Sequence, residues 1–245
     1  MFRRFLTVVS VLALAVVGSV TAHVLAPEKA AADGCYTWGR TLQQGATGAD
    51  VTQLQIRVAG WVSSGENLAL DGDFGPATAA AVKRFQTGYG LPATGIADSA
   101  TYSKIYGLQD DDCTPIHFDY SEFDNNCGAN NYLGGKVSEA TAKENIRRIM
   151  WQLEAMRHKL GDRPLNVTSG FRSVSCNEAS GGSSTSLHMY GQAADLGLSN
   201  PPQCTMWNAG KTAGFEELLG PGYPGHNDHV HLGNKSTRSW SAPNC

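Results

Sequence analysis

Hydrophobic positions in the first half of the chain recur at helical spacing between glycine-containing turns. Val51, Leu54 and Val58 would share one face of a first helix. A second helix is predicted to begin at Pro76, because proline is tolerated in the first helical turn. A third helix follows Asp98, whose side chain suits the N-cap. The pattern predicts three short helices around a small core and by itself gives that bundle no function.

The second half of the chain contains one long amphipathic helix, predicted over residues 142–160. Thr141 and Glu144 form a capping-box pair at its start, and Gly161 ends it. Its apolar face comprises Ile146, Ile149, Met150, Leu153 and Met156. The segment "PLNVTSGF" then has the character of a strand, and the remainder alternates loops with short strands. We therefore predict an α+β chain: a small three-helix domain, then an α+β domain with a small antiparallel sheet.

The boundary between the two predicted domains lies in "LQDDDCTPIH". Three consecutive aspartates and a proline disfavour a packed element there. We assign residues 36–107 to the first domain, 108–116 to a linker and 117–245 to the second domain.

Residues 1–32 have the layout of a secretory signal peptide. A short basic start precedes a continuous apolar run of 15 residues, 6–20, and small residues follow at 30–32. The run is shorter than the roughly 20 residues that span a bilayer. We expect export, cleavage, no stable membrane insertion afterwards, and a secreted or cell wall-associated protein.

All six cysteines follow the predicted cleavage site, at positions 35, 113, 127, 176, 204 and 245. An even number in an exported chain indicates three disulfides. A zinc–cysteine site is the alternative, but the chain has no C-x-x-C pair. The formal net charge is −3, and removal of residues 1–32 makes it more negative. Without a basic patch, nucleic acid is excluded as an expected partner.

Two histidine-bearing segments carry the candidate chemistry. "GHNDHVHLGN" holds three of the seven histidines, and "SLHMYGQAADLG" holds His188 and Asp195. His229 and His231 lie two apart, so both imidazoles would leave one face of a strand. With His188 and Asp195, either would complete the three-ligand set of a catalytic zinc site, which leaves the fourth position to water. A buried hydrogen-bonded cluster, with His226 merely exposed, is the alternative.

Two common hydrolase motifs are absent. The chain has no HExxH helix and no G-x-S-x-G elbow.

The first domain resembles the peptidoglycan-binding module of bacterial wall enzymes. The resemblance rests on "LQQGATGADVTQLQ", "DGDFGPATAAAVKRFQ" and "GLPATGIADSATY", and it covers residues 42–106 nearly end to end. It implies a compact helical domain that docks on wall glycan or stem peptide, and it does not imply catalysis.

The second domain resembles the zinc D-alanyl-D-alanine carboxypeptidases of actinomycete type, in peptidase family M15. Four segments carry the resemblance: "MWQLEAMRHKLG", "SGFRS", "CNEASGGSSTSLHMYGQAADLG" and "HNDHVHLG". The resemblance implies one catalytic Zn²⁺ held by His188, Asp195 and His231.

The same resemblance implies catalytic roles for three further residues. Asp228, three positions before His231, matches an acidic general base. His229 would be a neighbouring partner or proton carrier. Arg172 would meet the substrate, either at its terminal carboxylate or at the developing oxyanion. Tyr190 is a candidate substrate-binding donor, with packing as its alternative role.

The resemblance also implies that neighbouring cysteines pair in order. The expected disulfides are Cys35–Cys113, Cys127–Cys176 and Cys204–Cys245.

The sequence thus predicts an exported zinc peptidase that removes the terminal D-alanine from peptidoglycan stem peptides. A DD- or LD-endopeptidase with the same zinc site is one alternative. A non-catalytic wall-binding protein with structural zinc is another. We expect a monomer.

Overall fold

The computed structural model describes residues 35–124, 127, 129–198 and 201–245. The predicted signal peptide, 1–32, lies outside the described residues. Within the described ranges, no helix combines the length and apolar character needed to cross a membrane.

The three predicted helices of the first domain are present. They are α1, Ala49–Val58; α2, Pro76–Gly88; and α3, Ser99–Tyr106. As expected, proline opens α2. The side chain of Asp98 accepts a hydrogen bond from the backbone N–H of Thr101 and so caps α3. Spacing and capping together were sufficient to locate these helices.

The long helix α4, Glu139–Lys159, begins earlier than the sequence suggests. Its N-cap is Ser138, whose hydroxyl accepts a hydrogen bond from the backbone N–H of Thr141 at 3.2 Å. The predicted capping box of Thr141 and Glu144 is therefore wrong, because Thr141 already lies in the first helical turn.

Replacing Ser138 by alanine is expected to destabilise the protein by about 1 kcal/mol, because the exposed start of α4 loses its capping acceptor. Urea unfolding of the variant measures this loss. Thr141→Ala is the matched control and keeps the Ser138 cap, so its effect should be smaller. Equal losses in the two variants would contradict the assignment.

Helix α4 contributes to both hydrophobic cores. Trp151 and Ala155 are buried in the core of α1–α3, whereas Ile146 and Ile149 belong to the core beneath the sheet. Gly60 lets the first domain approach closely, since a Cβ there would lie 2.5 Å from that of Ala155. The first domain therefore packs directly on α4.

The segment 108–116 also packs against this helix. The indole N–H of Trp151 donates to the carbonyl of Cys113 at 3.2 Å. The fully buried Thr114 hydroxyl donates to the carbonyl of Phe118 at 3.0 Å. Composition suggested an unpacked connection, but buried side chains hold this segment in place.

A five-stranded sheet forms the frame of the second domain. Its strands are β1, Val167–Ser169; β2, Ala193–Gly197; β3, Glu217–Leu219; β4, His229–Gly233; and β5, Ser239–Ser241. The spatial order is β1-β2-β4-β3-β5. All neighbours pair antiparallel except β3 and β5, which are parallel. The α+β prediction is confirmed, with this parallel edge as a refinement.

Short helices complete the second domain. They are α5, Val174–Ala179, α6, Gln203–Gly210, and two 3₁₀ helices, Tyr120–Glu122 and Leu187–Tyr190.

The three disulfides implied by the resemblance are present in the structure: Cys35–Cys113, Cys127–Cys176 and Cys204–Cys245. The first joins the start of the first domain to the segment that packs on α4. The third ties the C-terminus to α6.

Candidate metal centre

The register of the sheet brings two candidate ligands face to face. Strands β2 and β4 pair so that Asp195 lies directly opposite His231. The 3₁₀ helix Leu187–Tyr190, which precedes β2, supplies His188. All three side chains are buried.

Three ligand atoms of these side chains converge. Asp195 Oδ1 lies 2.9 Å from His231 Nδ1 and 3.2 Å from His188 Nε2. The two imidazole nitrogens, His188 Nε2 and His231 Nδ1, are 3.2 Å apart. A tetrahedral Zn²⁺ at about 2.0–2.1 Å from each ligand separates its ligand atoms by about 3.3 Å. The spacing of the three atoms therefore fits a zinc ion.

A backbone carbonyl fixes the orientation of the His188 ring. Its Nδ1 lies 2.5 Å from the carbonyl oxygen of Gly170, so Nδ1 carries the proton and Nε2 is free to ligate. Gly170 is required here, because a Cβ would lie 2.5 Å from the backbone of Phe123.

Electrostatics favour the ligating forms of two of the side chains. Burial lowers the pKa of His188 and keeps its imidazole neutral. Burial opposes ionisation of Asp195, but the contacts with His188 and His231 outweigh it and hold the pKa of this carboxyl well below its usual range. A neutral imidazole and a carboxylate are the states that bind a divalent cation.

His231 behaves differently in the absence of a cation. Burial disfavours its charge, yet the contacts with Asp195 and Glu217 raise its pKa to about 9. Its ring therefore carries a proton that a cation must displace.

His229 lies at the edge of this group, and His231 lies within it. His229 Nε2 is 3.8 Å from Asp195 Oδ1, and its Nδ1 is 2.8 Å from Asp228 Oδ1. The side chain of Asp228 is 81% exposed, so its carboxylate reaches the group through the His229 ring. Strand geometry alone could not distinguish His229 from His231.

Arg172 reaches the other side of Asp195. Its Nη2 donates to Asp195 Oδ2 at 2.6 Å, and its Nε donates to Ser169 Oγ at 2.9 Å. The guanidinium thus holds one carboxylate oxygen while the other faces the histidines.

A cavity of about 960 Å³ opens over the three converging side chains. Besides histidines, its lining contains one arginine and one lysine, Arg172 and Lys235, and residues of the loop 180–186. Tyr190 shares the 3₁₀ helix of His188 but does not line this cavity, and its carbonyl accepts a hydrogen bond from Asn145 Nδ2 at 2.8 Å.

Comparison with known proteins identifies the family of this chain. The family model described as peptidase M15 matches residues 116–233, and a peptidoglycan-binding domain family matches residues 47–105. The zinc D-Ala-D-Ala carboxypeptidase of Streptomyces albus G is 58% identical over 215 residues, which are 88% of this chain and 84% of that protein. The chain belongs to the peptidase M15 family. The resemblance inferred from sequence motifs is thereby confirmed.

Two solved structures match parts of this M15 peptidase. The SleB N-terminal domain is 31% identical and covers 29% of this chain and 96% of its own, with a TM-score of 0.26. The endolysin of the Burkholderia phage AP3 is 25% identical and covers 52% of this chain and 45% of its own, with a TM-score of 0.25.

The structure places His226 where the sequence did not predict it, since sequence reasoning assigned this residue no role in the zinc site and left it merely exposed in the alternative cluster. In this M15 peptidase the His226 side chain is half-buried and lines the cavity. Its ring centroid lies 4.7 Å from that of His229 and 6.0 Å from that of His231. Burial lowers the pKa of His226. Because the residue lies in the loop before β4, strand alternation could not place it.

Sequence reasoning also missed Glu217 and Lys235 in the cavity wall of the M15 peptidase. The two side chains form an ion pair with each other. Strand β3 has only three residues, so no periodic pattern marked Glu217 as facing the site.

Proposed function

We propose that this chain is a zinc D-Ala-D-Ala carboxypeptidase that removes the terminal D-alanine from peptidoglycan stem peptides. The observation that carries the proposal is the buried His188–Asp195–His231 group, which lines a cavity of about 960 Å³. Its support is the 58% identity to the Streptomyces albus G enzyme.

His188 Nε2, Asp195 Oδ1 and His231 Nδ1 would hold the zinc ion. When bound, zinc lowers the pKa of a water molecule and polarises the scissile carbonyl. The residues around the group then have separate tasks.

We assign proton transfer to the Asp228–His229 pair. His229 Nε2 lies 3.8 Å from Asp195 Oδ1 at the edge of the ligand cluster, and Asp228 accepts from its Nδ1. His229 therefore takes the proton of the attacking water at Nε2, while Asp228 orients the ring and stabilises the imidazolium. The same imidazolium then returns the proton to the leaving amine. We assign the base to His229 and not to Asp228, the residue that the resemblance implied, since the Asp228 carboxylate faces solvent.

We assign to Arg172 the binding of negative charge on the substrate. Its guanidinium lines the cavity beside Asp195, where a planar fork can donate two hydrogen bonds to a carboxylate or stabilise an oxyanion. A substrate oxygen bound here would accept hydrogen bonds from Nε and Nη2 of Arg172, the same donors that contact Ser169 and Asp195.

We assign residues 36–107 to a wall-binding domain, 108–116 to the connection and 117–245 to the catalytic domain. The family match over residues 47–105 supports the first assignment. Docking on peptidoglycan would keep an exported, monomeric enzyme at the cell wall, near its stem-peptide substrate. The predicted signal peptide, 1–32, supports export.

The deciding experiment uses purified residues 33–245 and a stem peptide that ends in D-Ala-D-Ala. We expect release of free D-alanine that a chelator abolishes and added Zn²⁺ restores. Cleavage of crosslinked muropeptides without D-alanine release would instead establish an endopeptidase. Zinc binding without cleavage of either substrate would indicate a non-catalytic wall-binding protein.

Zinc binding at pH 7 is expected to release about one proton. In the absence of zinc, contacts with Asp195 and Glu217 outweigh burial and raise the pKa of His231 to about 9, so its proton must leave before Nδ1 can ligate. The lowered pKa of the buried His188 means that this residue releases none. The apparent Kd for zinc should therefore weaken about tenfold per unit as pH falls from about 8 to 6.

Calorimetric titration with zinc in two buffers of different ionisation enthalpy counts the released protons. A Kd that does not change over this pH range would contradict the assignment of His231 as a protonated ligand.

A further inference from the structure

One buried nitrogen of the candidate ligand His231 lacks a hydrogen bond of good geometry. His231 presents Nδ1 to Asp195 at 2.9 Å, while the opposite nitrogen, Nε2, is buried without a hydrogen-bond partner among the described residues. If Nδ1 binds a cation, the neutral ring must carry its proton on Nε2. That buried N–H requires an acceptor.

Glu217 provides the nearest carboxylate. Its Oε1 lies 3.3 Å from His231 Nε2, and its side chain is only 19% exposed. The neighbouring pairing of β3 and β4 sets this distance, because Glu217 lies opposite Gly233, two residues beyond His231. A small rotation of the Glu217 side chain would complete a hydrogen bond.

One further contact and one glycine keep the Glu217 carboxylate there. Lys235 Nζ forms an ion pair with the other carboxylate oxygen, Glu217 Oε2. Gly233 leaves the space open, since a Cβ there would lie 3.3 Å from His231 Nε2 and 3.4 Å from Glu217 Cβ. Nothing in the proton-transfer scheme above uses either Glu217 or Lys235.

We propose that Glu217 is a positioning residue that accepts the Nε2 proton of His231 and so directs Nδ1 to the zinc ion, with Lys235 holding the carboxylate in place. Such carboxylate–histidine–zinc arrangements fix the tautomer and raise the basicity of the ligand. The inference rests on the proposed zinc site, but it concerns a residue outside the ligand set.

The test is the zinc affinity of Glu217→Ala, measured by competition with a chromophoric chelator. We expect the Kd to rise about 10–100-fold, the usual effect of losing such a partner. Glu217→Gln keeps an acceptor oxygen and should recover part of the loss. The matched control is Glu216→Ala, because Glu216 is the next carboxylate on the chain and accepts from the backbone N–H of Lys235 at 3.2 Å instead. It should bind zinc within about twofold of the parent protein.

An NMR spectrum of the parent protein tests the proposal independently of whether any variant folds. Long-range ¹H–¹⁵N correlation of the zinc-loaded protein should show His231 protonated at Nε2 and zinc-bound at Nδ1. The opposite tautomer would overturn the proposal, as would a Glu217→Ala Kd equal to that of the parent or of Glu216→Ala.

The two proposals fail in different ways. If the parent protein binds no zinc and releases no D-alanine, the proposed function is wrong. If the parent does both and Glu217→Ala binds zinc equally well, only the role of Glu217 is wrong.

Discussion

Replacing His188 by alanine is expected to remove bound zinc and to lower D-alanine release on the order of 10³-fold or more. In the proposed site His188 supplies one of three ligand atoms, and the same 3₁₀ helix offers no other histidine that could take its place. Two protein ligands would remain, which is fewer than catalytic zinc sites use. The measurements are zinc content after gel filtration and kcat/KM with a D-Ala-D-Ala peptide.

His117→Ala is the control for this variant. His117 pairs with Glu154 of α4 at 3.1 Å and does not line the cavity. It should keep one zinc per chain and full activity. Retention of stoichiometric zinc by His188→Ala would show that the ligand set is wrong, while a zinc-free but folded His188→Ala would support it. Comparing its melting temperature with that of the zinc-free parent separates metal loss from unfolding.

The helices were predictable where the hydrophobic pattern was long and a proline or a capping residue marked its start. Helices α2 and α3 carry apolar residues at helical spacing, and Pro76 at the first position of α2 and Asp98 at the N-cap of α3 mark where they begin. The start of α4 was misplaced because Ser138 and Thr141 are both acceptable caps, and only the tertiary structure decides between them. Strands β3 and β5 have three residues each, too few for an alternating pattern.

The candidate site was predictable only in part for a related reason. Residues two apart in a strand share a face, so strand geometry alone left His229 and His231 equivalent, and only the family resemblance assigned His231. The register that places Asp195 opposite His231 resolves this choice. Glu217 and His226 reach the cavity through strand pairing and a loop, which are long-range features that no local motif encodes.

Replacing Arg172 by alanine is expected to lower kcat/KM about 10²–10³-fold, as does loss of a donor to a developing oxyanion. Its guanidinium lines the cavity and contacts Asp195 Oδ2 at 2.6 Å, yet it is not a ligand, so zinc content should stay at one per chain. Arg172→Lys keeps the charge but loses the fork, and it should recover only part of the activity.

The division of the Arg172→Ala effect between kcat and KM decides which negative charge this residue meets. If it reads the terminal carboxylate, KM should rise while kcat changes little, and a peptide with an amidated C-terminus should be insensitive to the substitution. If it stabilises the oxyanion, kcat should fall equally for the free and amidated peptides. The first result would explain a carboxypeptidase preference, because only a chain end presents that carboxylate. The second would assign the selection of chain ends to other residues of the cavity.

An Arg172→Ala variant with unchanged kcat and KM on both peptides would show that Arg172 takes no part in the reaction.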